Sequence, residues 1–291
     1  MGTVESEQQR KEREHQEDLQ RLRGFRPMDD DFMRSLFKKN TELVQLVLRI
    51  LIGKSDLRVT SFETQADMKR VTGARTICLD AYATDEAGKK YDIEIQRADR
   101  GAGPHRARYH SSVMDVENLD KGEPFDQLPD TYTIFITERD FFGGKEPIYR
   151  IQRMNLTTGN AFDDGAYILY VNGEYRGDSD VGRLMHDFNC TDPDDMQIAL
   201  LAHRTRYLKE TPEGVSEMCR EMEIMRNKSR EEGRKEGRLE GRKEGLKEGE
   251  LQKARETAAN LFAMGLDLDS IAKAVNVSID LVKQWLTPAS A

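Results

Sequence analysis

RTICLDAYATDEAGKKYDIEIQ, residues 75–96, reads as a β-hairpin. From Thr76 to Ala83, Ile77, Leu79 and Ala81 alternate with Cys78, Asp80 and Tyr82. A polar turn, Thr84-Asp85-Glu86-Ala87-Gly88, leads to a second run, Tyr91 to Gln96. Successive strand side chains point to opposite faces. Tyr91, Ile93 and Ile95 therefore share one face, and Asp92, Glu94 and Gln96 the other. Two acids and an amide in a row on one face carry a desolvation cost inside a sheet. A divalent cation would offset it, with Asp80 and Glu94 as carboxylate ligands and Gln96 beside them. Asp92 shares that face. Its place at the start of the strand predicts exposure, with a second metal as the alternative.

The spacing Asp80, then Glu94-Ile95-Gln96 fourteen residues on, resembles the PD-(D/E)XK nuclease active site. More narrowly it resembles the recombination-promoting nuclease and transposase branch, where Gln often stands for the usual terminal Lys. Asp30-Asp31-Phe32-Met33-Arg34-Ser35-Leu36-Phe37 is similar to the family's first-helix signature. Arg106-Ala107-Arg108-Tyr109-His110 is similar to the segment that opens its next helix, and repeated Glu-Gly tetrads are typical of its tails. The similarity spans residues 28 to about 260.

The resemblance implies an α/β, restriction-endonuclease-like αβββαβ core with a mixed sheet. It implies hydrolysis of phosphodiester bonds in DNA, linked to recombination or a mobile element. Asp80 and Glu94, with the Ile95 carbonyl, would hold Mg²⁺, or Mn²⁺ in its place, through hard oxygen ligands. An acid of the first helix, Asp30, Asp31 or Glu42, would approach the ion. Gln96 carries no charge, so it can orient a water but cannot acidify it. A second reading is a non-catalytic DNA-binding or assembly protein on a retained nuclease scaffold. A third, a purely structural coiled coil, conflicts with the strand-rich middle of the chain.

The basic window lies next to the hairpin. Arg97, Arg100, Arg106 and Arg108, with His105, stand against Asp99 alone. A DNA backbone needs such a cluster near the metal, and Tyr109 would join it. The alternative is a solvated helix start, although bases there oppose the macrodipole.

Composition sets limits on the whole. The chain has 291 residues, 37% of them hydrophobic and 34% charged, so the core is concentrated in part of it. The net charge of −8 argues against binding phosphate over the entire surface. Three distant cysteines, Cys78, Cys190 and Cys219, read as reduced thiols in a cytoplasmic protein, without metal-ligand spacing. The start, MGTVESEQQRKEREHQ, is too charged for a signal peptide, and no apolar run reaches membrane-span length.

Four segments follow in order. Residues 1–27 are a charged arm, either disordered or a solvated helix. Residues 28–212 are the nuclease-like domain. Within it Asp29, Asp30 and Asp31 offer caps to a helix over 30–53 that ends at Gly53, and Glu42 lies mid-helix. Strands are predicted at 57–63, 131–137, 146–151 and 166–171, and helices at about 106–120, in a short piece over 184–188, and at 193–210. His186 and His203 read as surface or packing histidines, with no second ligand at metal spacing.

Residues 213–252 are a charged helix or linker. Gly233, Gly237, Gly241, Gly245 and Gly249 recur every fourth residue. Each glycine costs a helix about 1 kcal/mol relative to Ala, and Glu–Arg or Glu–Lys pairs return only a few tenths each. The segment is either a loose spacer or a right-handed seam that joins two copies. Residues 253–291 are a small helix-turn-helix-like module, with Asp269 as cap and Asn276 at the turn. Between Asp267 and Lys283 it carries three acids and two lysines, so packing or oligomerisation suits it better than DNA binding.

Overall fold

Apolar stripes at helical spacing and period-2 alternation become elements in this order: α1 (Glu7–Gly24), α2 (Asp30–Phe37), α3 (Thr41–Ile52), β1 (Val59–Met68), β2 (Ile77–Asp85), β3 (Lys90–Gln96), α4 (Pro104–Glu117), β4 (Thr131–Thr137), β5 (Ile148–Ile151), β6 (Met154–Asn155), β7 (Asn160–Ala161), β8 (Ala166–Asn172), α5 (Asp180–Phe188), α6 (Ala199–Glu210), α7 (Pro212–Ala263), α8 (Leu268–Val275) and α9 (Ile279–Leu286). This computed structural model describes residues 6–68, 77–97 and 101–286. Met1–Glu223 and Ile224–Ala291 are two separate compact units.

The first unit is built on a six-stranded mixed sheet in the order β1-β2-β3-β4-β8-β5. The first three strands form an antiparallel meander. β3, β4 and β8 run parallel, and β5 closes the edge antiparallel to β8. Parallel neighbours need a crossover, and α4 supplies it between β3 and β4. β6 and β7 form a separate two-stranded ribbon. The helices, the meander, the crossover and the parallel strand give the mixed α/β, restriction-endonuclease-like core, and β8 and β5 extend its sheet.

A central parallel trio is buried on both faces. One face carries Tyr91, Ile93, Ile95, Ile134, Ile136, Leu169 and Val171, all buried. The other carries Asp92, Glu94, Thr133, Phe135 and Tyr170. α4 lies across this second face. Its His110 ring sits 5.7 Å from the Phe135 ring, and the Thr133 hydroxyl reaches Met114 Sδ at 3.7 Å.

Several boundaries differ from expectation. The helix over 30–53 is two helices. Lys39 adopts φ +56°, and Asn40 restarts the chain by accepting the Leu43 amide at 3.1 Å. Glu42 is thus in the first turn of α3, and exposed, rather than mid-helix. Gly53 ends α3 at φ +79°. Asp29 holds the cap position of α2 without a side-chain capping bond, because its carboxylate takes the Arg26 amide instead. The first strand starts at Val59 and runs on to Met68. A short 3₁₀ turn over 193–195 precedes α6. The charged arm contains α1, opened by a Ser6–Gln9 capping box and with Leu22 buried.

The tetrad segment lies within α7, which is helical throughout. In the second unit Ala258, Ile271, Ala272 and Val282 form a small core, with Leu261, Trp285 and Leu286 against it. Asp267, not Asp269, caps α8, accepting from the amides of Asp269 and Ser270. Asn276 makes the turn at φ +54°. Among the described residues no helix is long and apolar enough to cross a membrane.

Candidate active site

The antiparallel register pairs Ala81 with Ile93. Continued by one residue, it sets Asp80 opposite Glu94, on one face of the sheet. There the side chains replace the ladder. Asp80 Oδ2 accepts the Ile95 amide at 3.3 Å, and Glu94 Oε1 accepts the Asp80 amide at 3.1 Å. The two strands are pinned apart by the carboxylates that the hairpin places at their ends.

Three further groups face this pair. Asp92 is fully buried, which corrects the expectation of exposure: β3 is a central strand and α4 covers that face. His110 on α4 contacts Asp92 Oδ2 through Nδ1 at 3.0 Å, and its Nδ1 lies 3.9 Å from Glu94 Oε1. Arg106, one turn earlier, donates from Nη2 to Glu94 Oε2 at 2.9 Å, from Nη1 to Gln96 Oε1 at 3.2 Å, and from Nε to His110 Nε2 at 3.2 Å. With Nε2 accepting, the ring proton lies on Nδ1 and is donated to Asp92. Asp92, Glu94 and His110 can each turn a ligand atom toward one point, all within 4.8 Å of one another.

α2 approaches from the Asp80 side. Arg34 Nη2 reaches Asp80 Oδ1 at 3.4 Å. Asp30 is half-buried beside Asp80, while Asp31 is engaged by Arg34 and Arg21 at 3.8 and 3.9 Å. Of the first-helix acids, Asp30 is thus the one whose charge is coupled to Asp80.

The electrostatics are those of a site short of positive charge. Burial, then Asp92 and Asp80, push Glu94 up to about 9. Burial, then Asp80, hold Asp92 well above the carboxylate range and raise Asp30. Burial lowers His110 against the opposing pull of Glu94, and Arg106 adds to the lowering. Asp30 Oδ1 and Asp92 Oδ1 are buried without a hydrogen-bond partner. Unpartnered buried acceptors are costly. A divalent cation suits this donor set, because it would replace the missing donors and favour the charged forms of the acids.

The arginine cluster divides. Gln96 continues the Glu94 face, and the next residue, Arg97, falls on the other. Arg97 is bound to Asp29 at 3.2 Å, with Glu138 at 3.9 Å. Arg106 turns inward on the acids. Arg108 is exposed, Tyr109 is half-buried, and Arg100 lies outside the described residues. Gly101 lets the loop pass Gln96: a Cβ there would lie 1.7 Å from Gln96 Oε1. His110 was not singled out as a site residue from the sequence. Its signals were its place at the end of the Arg106–His110 segment and the spacing of four from Arg106, which puts both on one helix face.

A mixed sheet with acids where a β-hairpin splays, crossed by a helix that carries Arg and His, defines a restriction-endonuclease-like domain. Residues 31–174 match the PD-(D/E)XK nuclease family transposases, and the domain they form is of that kind. No curated protein and no solved structure matches the chain.

Proposed function

We propose that this protein is a metal-dependent DNA endonuclease that hydrolyses phosphodiester bonds, linked to DNA recombination or a mobile element. The observation that carries the reading is the reciprocal bonding of Asp80 and Glu94 across the splayed hairpin, beside buried acceptors that lack donors. Asp80, Glu94 and the Ile95 carbonyl would hold Mg²⁺ or Mn²⁺, with Asp30 nearby. A bound ion of this kind polarises the scissile phosphate and makes its water more acidic.

The remaining roles fall to the chain itself. Gln96 orients the attacking water by hydrogen bonding. Asp92 and His110 hold each other and keep Glu94 in place. Arg106 is poised to leave Glu94 for a phosphate oxygen of the substrate, and exposed Arg108 meets the DNA backbone. A cytoplasmic location and association through the C-terminal helices complete the proposal.

Two observations favour a second reading. Arg106 already occupies Glu94, and no lysine stands at position 96. A retained scaffold that binds DNA without cutting it would look like this. Nicking of supercoiled plasmid with Mg²⁺ separates the two. Wild type is expected to relax the plasmid, and Asp80→Ala and Glu94→Ala to leave it intact. Equal nicking by all three proteins refutes the site; DNA binding without nicking by any of them supports the scaffold.

A further inference from the structure

A second group of metal-ligating side chains lies outside the acidic site, at the end of α5. His186 is in its last turn, Asp187 follows, and Cys190 sits just beyond. His186 Nδ1 lies 3.0 Å from Asp187 Oδ1 and 3.6 Å from Cys190 Sγ. One ligand atom from each of the three lies within 4.8 Å of the others. From the sequence His186 seemed to lack a second ligand. The helix end supplies two: Asp187 is the next residue, and Cys190, four residues on, returns to the same side.

We propose that His186, Asp187 and Cys190 bind a zinc-class transition-metal ion. Zinc bonds of about 2.0–2.3 Å to nitrogen, oxygen and sulfur put tetrahedral ligand pairs roughly 3.3–3.6 Å apart. The two separations from His186 Nδ1, 3.0 and 3.6 Å, need only a small adjustment to meet this, and the third ligand atom lies within 4.8 Å. Thiolate and imidazole select zinc-like ions over Mg²⁺, so the site is distinct in chemistry from the all-carboxylate pair.

The surroundings are built for it. Asp187 is fully buried and fixed: Oδ1 accepts the Gln197 amide at 2.9 Å and Oδ2 the Ile198 amide at 2.7 Å. Such outer bonds orient a ligand and tie α5 to the start of α6. The Asp195 carbonyl, 4.0 Å from Cys190 Sγ, or a water would complete the shell. On binding, the Cys190 S–H bond breaks, its proton passes to solvent and the sulfur bonds the metal.

The test uses the full reduced chain, stripped with a chelator. Co²⁺ is expected to raise a thiolate-to-cobalt charge-transfer band that saturates at one equivalent and that Zn²⁺ bleaches. Asp80→Ala keeps the band, whereas Cys190→Ser and His186→Ala lose it with unchanged far-UV circular dichroism. In the wild type, Zn²⁺ is expected to slow alkylation of Cys190 about tenfold or more, since a metal-held sulfur is no longer a free nucleophile. Absence of the band at one equivalent overturns the proposal. So does its survival in Cys190→Ser, or alkylation of Cys190 at the same rate with and without Zn²⁺.

Discussion

Asp80 and Glu94 each bond the backbone of the other's strand, Asp80 through the Ile95 amide and Glu94 through the Asp80 amide. The hairpin is thereby held open by the same two carboxylates that would hold an ion. Rigidity and negative charge come from one device, and the charge is the costly part.

That cost sets the pH behaviour of the metal-free protein. Glu94 binds its proton more tightly folded than unfolded, at about 9 against an ordinary 4.5. Its stabilising contribution is complete below the lower value and is lost as pH rises through the higher one. Asp92 is shifted in the same direction. Thermal melts in EDTA should therefore show a midpoint that falls from about pH 5 to pH 9. Saturating Mg²⁺ should flatten the slope, and Glu94→Gln should reduce it in EDTA. A slope unchanged in Glu94→Gln would assign it to other groups.

Arg106 competes with any ion for Glu94. Its guanidinium lies 2.9 Å from Glu94 Oε2, in the place where added positive charge would act. Removing it in Arg106→Ala should tighten Mn²⁺ binding roughly tenfold, equivalent to about 1.4 kcal/mol. Isothermal titration calorimetry on the two proteins measures this. Weaker binding would mean that Arg106 holds Glu94 in its ligating position instead.

The legible parts of the fold were those set by local periodicity. TYTIFIT became β4 over the same residues, 131–137, because β-branched and aromatic residues suit a strand buried on both faces. Asp92 was misjudged because burial by α4 is a tertiary event that alternation along β3 cannot express. The split of α2 from α3 was hidden by an apolar stripe that runs through it, although Asn40-Thr41 carried a cap signal. Arg97, one residue past Gln96, leaves the face that Glu94 occupies, as the alternation along β3 requires, and meets Asp29.

Gln96 can be tested without being mutated. A methyl group at position 101 would collide with its amide oxygen at 1.7 Å, and the half-buried Gln96 side chain can swing aside. Gly101→Ala should therefore cost about 1 kcal/mol or less in stability. Plasmid nicking should fall about tenfold if Gln96 orients the water. Undiminished nicking with an unchanged melting midpoint would remove Gln96 from the mechanism.

The tetrad glycines decide between spacer and seam. A Cβ built at Gly233, Gly237, Gly241, Gly245 or Gly249 meets nothing within 4 Å in the single chain. Changing all five to Ala should favour the helix by about 5 kcal/mol, since each substitution is worth about 1. An ion pair there, Glu231–Lys235 at 2.7 Å, is exposed and offsets little of what the glycines cost. If the segment is a spacer, the five-Ala chain gains helicity by circular dichroism and keeps its mass in light scattering. If the glycines let two helices approach closely, five methyl groups separate them. A wild-type dimer would then become a monomer while its helicity still rises.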